Sequence, residues 1–190
     1  MKWCPFFGVF LIIVFGSMSF GQSTPVFEAS FGYSFLRQEF NLNRHGWIAS
    51  TAGNVNNWFG VKGEVGGSYT DRINSDVHSF LAGPQFTARV KPALTPWAHF
   101  LLGVTRTQRT SFPFFIGVPP VPPGQPVVGF LTATDSDFAI QPGGGIDFWL
   151  HPNFGIRFGG DYRRSFRGNR RNDLDYGRLH AGIVFRIGSK

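Results

Sequence analysis

Along the last part of the chain apolar and polar residues alternate one for one. Phe154, Ile156, Phe158, Tyr162 and Phe166 share one parity, while Gly155, Arg157, Gly159, Asp161 and Arg163 share the other. Further on, Leu179, Ala181, Ile183, Phe185 and Ile187 oppose Arg178, His180, Gly182, Val184 and Arg186. A period of two puts successive side chains on opposite faces of a β-strand. The same period can be followed through eight segments, roughly Val26 to Arg37, Gly46 to Asn54, Trp58 to Thr70, Val77 to Val90, Trp97 to Arg109, Ser136 to Leu150, Phe154 to Phe166 and Leu174 to Ile187. No stretch carries a convincing helical repeat. Connections at 55–57, 91–96 and 151–153 are short, whereas those at 38–45, 71–76, 110–135 and 167–173 are longer. Short turns at one end and long loops at the other, joining an even number of strands, are the pattern of a transmembrane barrel. The expected fold is therefore all-β, an eight-stranded antiparallel up-and-down transmembrane β-barrel.

A soluble barrel would alternate too, with its apolar face inward, so the faces need assigning. The polar face is rich in glycine (Gly60, Gly66, Gly83, Gly103, Gly143, Gly145, Gly155, Gly159), which suits a crowded interior better than a solvated surface. The apolar face carries aromatics at both ends. Phe27, Phe59, Phe148, Phe154 and Phe185 lie toward the short turns, and Tyr33, Phe35, Tyr69, Phe80, Phe138, Tyr162 and Phe166 toward the long loops, as girdles at two membrane interfaces would. Arg106, Arg164 and Asp175 are the charged exceptions on the apolar face, and all fall near the long loops. A basic side chain facing lipid costs about 2–4 kcal/mol at the midplane but about 0–1 near the interface. The exceptions sit where they are tolerated, so the apolar face belongs in lipid and the charged face inside.

The first residues change the picture of where the chain works. Lys2, the apolar run Phe6 to Phe15 and the small residues around Ser19-Phe20-Gly21 read as a secretory signal peptide over 1–21, leaving 22–190 as the barrel domain. Cys4, the single cysteine, precedes the apolar run, so neither a disulfide framework nor a lipoprotein acylation site is expected. The 18 basic residues outnumber 11 acidic ones, giving a formal charge of +7, and arginine dominates lysine. Export and the absence of a groove-reading helix argue against nucleic acid.

The pattern resembles the small eight-stranded outer-membrane barrels, the family that includes the outer membrane protein A transmembrane domain and the opacity-type surface proteins. The resemblance covers Val26 to Ile187 and is most specific in Gly46-Trp47-Ile48-Ala49, in 53–61 and in the last strand, 181–187. It implies a bacterial outer-membrane location with both termini periplasmic and the long loops extracellular. It also implies outer-membrane lipid and lipopolysaccharide as surroundings, and recognition of the C-terminal strand by the barrel-assembly machinery. In that family the last strand usually ends on an aromatic, whereas here the chain continues Ile187-Gly188-Ser189-Lys190.

Eight strands leave an interior just wide enough for side chains. The inward set is Glu28, Lys62, Glu64, Arg89, His99, Asp147, Arg157, Asp161, Arg163, Arg178, His180 and Arg186, with Gln85 and Gln141 among them. A buried charge left alone would cost about 3–5 kcal/mol, so an interleaved ion-pair plug is expected. Counting back from the 151–153 turn sets Asp147 opposite Arg157, and barrel closure brings Glu28 and Arg186 to the same low level. Pro84 and Pro142 each remove a ladder hydrogen bond, and local bulges are expected there. The arginines of the long-loop end, Arg37, Arg44, Arg72, Arg106, Arg109, Arg164, Arg167, Arg170 and Arg171, are candidates for lipopolysaccharide phosphate, which guanidinium groups grip bidentately. Loop 110–135, with Phe112, Phe114, Phe115 and its prolines, is either a partner-binding loop or one packed at the rim.

Catalysis finds little support. His45, His78, His99, His151 and His180 are the histidines, and His78 is adjacent to Ser79, but neighbours on a strand point to opposite faces and cannot form a nucleophile–base pair. No metal spacing, phosphate loop or cofactor motif is present, so no metal and no cofactor is expected. A structural or surface-interaction barrel with a plugged lumen is the first reading. A narrow, anion-leaning pore and a lipid-modifying enzyme are the alternatives.

Overall fold

The computed structural model describes residues 24–38, 42–70, 75–89, 91–110, 114–115, 128–129, 132–166 and 173–188. Its strands are β1 Phe27–Gln38, β2 Leu42–Asn54, β3 Phe59–Thr70, β4 Ser75–Thr87, β5 Leu94–Thr110, β6 Phe114–Phe115, β7 Val128–Gly129, β8 Thr132–His151, β9 Phe154–Phe166 and β10 Leu174–Ile187. All but β6 and β7 form one closed antiparallel barrel in which each strand pairs with the next and β10 returns to β1. The expected eight-stranded up-and-down barrel is the architecture observed. Closure sets Glu28 against Arg186 in register.

Burial follows sequence parity closely. In β3 the inward residues Lys62, Glu64 and Ser68 are buried, while Val61 and Val65 on the other face are exposed. Exposed Phe27, Phe31, Tyr33, Phe80, Phe138, Phe148, Phe158 and Tyr162 make the outer wall aromatic over its height. Inside, apolar burial is limited to a few residues such as Leu36, Ile48, Val77 and the cluster of Leu81, Leu101 and Ala139. The protein is thus inside out relative to a water-soluble domain, where buried charges are rare.

Turn chemistry explains the short connections. Between β2 and β3 the Asn56 Oδ1 accepts from the backbone N–H of Trp58 at 3.0 Å and of Phe59 at 2.8 Å, the Asx capping that lets the chain reverse. At the same end Thr24 and Pro25 tuck into the barrel, where Asn54 Nδ2 donates to the Pro25 carbonyl at 3.0 Å.

Three expectations need correcting. First, β2 begins at Leu42 rather than Gly46, which brings Arg44 into the ladder. Second, β5 and β8 stay paired out to Thr110 against Thr132, consuming both ends of the expected loop 110–135. The β-branched threonines along both strands suit this extension. Phe114–Phe115 then pairs with Val128–Gly129 as a separate two-stranded sheet, and the rest of that loop lies outside the described residues, as do 1–23.

Third, no bulge forms at Pro84 or Pro142. The β4–β5 ladder passes from Ala82↔Leu102 to Gln85↔His99, and the β8–β9 ladder from Ile140↔Arg164 to Gly143↔Asp161, each without a change of register. Both prolines remain paired on their other side, Pro84 with Val61 and Pro142 with Phe100. A proline removes one donor on one side only, and the flanking pairs hold the register without an extra residue. The irregularity that does occur lies between Trp149 and His151, next to the short turn.

Candidate functional site

The interior carries the chemistry, and parity places it there. Glu28, Lys62, Glu64, Arg89, His99, Asp147, Arg157, Asp161, Arg163, Arg178 and His180 are all buried, and Arg186 is half-buried. The inward-facing strands thus bring the whole expected set together.

At the turn end, Glu28 accepts from Arg89 at 3.0 Å and from Arg157 at 3.4 Å. Asp147 and Arg157 face each other in register and form a bidentate pair, Nε to Oδ1 and Nη2 to Oδ2, both at 2.7 Å. Arg186, although opposite Glu28 in register, turns elsewhere. Its guanidinium lies 3.4 Å over the Trp149 ring and donates to Thr95 Oγ1 at 3.0 Å.

Higher up, charges from opposite walls meet. Glu64 on β3 takes Lys62 at 3.1 Å and Arg178 of β10 at 2.6 Å, and accepts from Gln141 of β8 at 2.9 Å. The same Arg178 reaches Asp161 through Nη2 at 2.5 Å and Nε at 2.8 Å. Asp161 also meets His99 at 3.0 Å and His180 at 3.6 Å. Arg163 finds neutral partners, Gln141 Oε1 at 2.8 Å and Ser79 Oγ at 3.2 Å. Space for this crowding comes from glycine. A Cβ on Gly143 would collide with Asp161 Oδ1, and one on Gly159 with His180 Nε2.

Trp97 is the residue that strand parity places inside but charge-based reading passes over. It is 4% exposed and its ring lies 4.8 Å from Lys62 Nζ and 5.0 Å from Arg157 Cζ. It stacks on His99 and His180, and its indole N–H donates to Asp147 at 3.0 Å. Cation–π contact adds to the pairing of desolvated cations. Thr95, sharing parity with Trp97 and His99, and Trp149 join the lower layer in the same way.

No family model matches the sequence, and no curated protein does either. Solved structures match in shape. Neisserial surface protein A superposes with a TM-score of 0.59 at 14% identity, covering 85% of this chain and 96% of that one. The Yersinia pestis attachment invasion locus protein Ail gives 0.52 at 20%, covering 88% and 100%. A de novo designed transmembrane β-barrel gives 0.51 at 10%, again covering 88% and 100%. The fold is that of the small eight-stranded outer-membrane barrels.

In this barrel the long-loop arginines fall into different environments. Arg37 and Arg106 are exposed on the outer wall. Arg164 is also outward but is held by Asp173 at 2.9 Å, with Asp175 at 3.9 Å. Arg44 corrects the expectation of lipid contact. It shares parity with Ile48 and Ser50, is 2% exposed and donates to the Ser75 carbonyl at 2.9 Å. Arg109 is half-buried with the inward parity of Thr105 and Thr107, facing the mouth instead of the wall. Arg72, Arg167, Arg170 and Arg171 lie outside the described residues. His78 faces outward while Ser79 is buried inside, so that pair cannot serve as nucleophile and base.

Proposed function

We propose that this chain is an integral outer-membrane barrel whose lumen is closed by its ion-pair network and whose work is done at the surface by the long-loop end. The observation that carries this reading is the pairing across the lumen: Glu64 joins β3 to β10 through Arg178 and to β8 through Gln141. Side chains that bond from wall to wall narrow any aqueous path, and Leu81, Leu101 and Ala139 add an apolar patch on one wall. Neutral partners for Arg163 and the excess of inward arginine favour an anion-leaning leak as the second reading, should the network open.

The surface role is supported by the outward aromatic wall, which suits hydrocarbon, and by the fold shared with a Neisserial surface protein. Ail has been crystallised with the heparin analogue sucrose octasulfate. The basic long-loop end of this chain makes sulfated polysaccharide a reasonable first candidate to test. Orientation is tested by an epitope inserted within 116–127 and another placed after Ile187. Antibody is expected to reach the first on intact cells and the second only after permeabilisation. The reverse pattern would overturn the arrangement.

A further inference from the structure

One outward register row runs Tyr33, Trp47, Gly67, His78, Arg106, Ser136 across β1, β2, β3, β4, β5 and β8. Two of its members, His78 and Arg106, are basic residues that face away from the lumen. Arg106 makes no ion pair among the described residues, in contrast to Arg164, whose acid partners come from its own chain. Asp76, the acid in the row above, stands opposite Gln108 and Tyr69 and forms no ion pair with Arg106. A guanidinium on an apolar wall without a protein acid calls for an anion from outside, and its planar fork suits phosphate.

The wall beside and below this row is shaped to match. Gly67 leaves a notch over which Trp47 and Tyr69 fold, joined by an indole donation to the Tyr69 hydroxyl at 3.2 Å. Tyr69 meets His78 edge-on with ring centres 6.0 Å apart. Beneath lies a hollow of about 810 Å³ on the outer wall. Its floor is made by small residues in successive strands, Ala29, Thr51, Gly63 and Ala82 with Ala49 above, and Val65, Phe80 and Leu102 bound it. At about 4.8 Å per strand, the four strands are roughly 15 Å wide, room for several acyl chains side by side.

We propose that this wall holds one phosphorylated, multiply acylated glycolipid of the lipid A type, its phosphate on Arg106 and His78 and its chains in the hollow. The site rests on the membrane reading above but uses none of the interior network. Phosphate alone would favour any acidic lipid; the breadth of the hollow selects the glycolipid over a two-chain phospholipid.

Native mass spectrometry of the purified full chain in detergent, titrated with diphosphorylated lipid A, its dephosphorylated form or phosphatidylglycerol, tests this directly. Diphosphorylated lipid A is expected to stay bound. Dephosphorylation or Arg106→Gln is expected to weaken retention about tenfold, the loss of one charge-assisted contact. Ala82→Phe, which fills the hollow, is expected to weaken it as well, and Arg164→Gln to leave it unchanged. Heat-dependent gel migration shows that each variant is folded, so loss of binding in a folded barrel separates this site from the membrane reading. Wild-type retention by Arg106→Gln, or phosphatidylglycerol held as tightly as lipid A, would overturn the proposal.

Discussion

Replacing Arg178 by methionine removes the group that ties two buried carboxylates together while keeping most of its volume. Its guanidinium makes three contacts, one to Glu64 and two to Asp161, and charge-assisted bonds are worth about 1.5–3 kcal/mol each, so the loss cannot exceed about 9 kcal/mol. Lys62 remains on Glu64 and His99 on Asp161, which offsets part of the loss. The expected destabilisation is therefore about 3–5 kcal/mol, the usual penalty for stranding one side of a buried pair. That is a large share of the roughly 5–15 kcal/mol that holds a typical domain together. Denaturant unfolding in lipid vesicles, followed by tryptophan emission to which Trp97 beside the network contributes, measures it. Adding Asp161→Asn to Arg178→Met is expected to recover much of the stability, because one cation and one anion are then removed together and Glu64 keeps Lys62. A loss below about 1 kcal/mol for Arg178→Met, the range of an exposed pair, would refute the reasoning.

Other consequences follow from single contacts. Gly159→Val puts side-chain atoms into His180 and Trp97 and is expected to abolish the compact, heat-modifiable gel band. Pro84→Val restores a donor toward β5 where the ladder now skips, and hydrogen exchange there is expected to slow, with a gain of about 1 kcal/mol from the added bond. Arg164→Ala removes an ion pair at the exposed rim, and its unfolding midpoint is expected to stay close to that of the parent, since such pairs contribute about 0–1 kcal/mol.

The barrel was readable because a two-residue period fixes every side chain to one of two faces. Asp147 opposite Arg157 needed only a count across one short turn, and the register agrees. Arg44 shows where that logic stops. With β2 taken to begin at Gly46, Arg44 fell into a loop, although extending the parity of Gly46 and Ile48 by one step puts it inside. Pro84 and Pro142 signalled a lost hydrogen bond correctly but not its outcome, since one-sided loss can be absorbed without a bulge. Pairing across the lumen was beyond reach for a different reason. Whether Arg178 meets Glu64, 114 residues away, depends on strand tilt and stagger, which no local pattern encodes. Trp97 lay within reach of parity, as the inward neighbour of His99, but an aromatic reads as membrane-facing until cations are found on both sides of it.

Single-channel recording of the purified chain in a planar bilayer tests the closed lumen most directly. The wild-type protein is expected to show no stable conductance, and Arg178→Met or Asp147→Ala to give openings that the parent lacks. Steady, long-lived conductance from the wild type, unaltered by either substitution, would contradict an interior closed by its ion pairs.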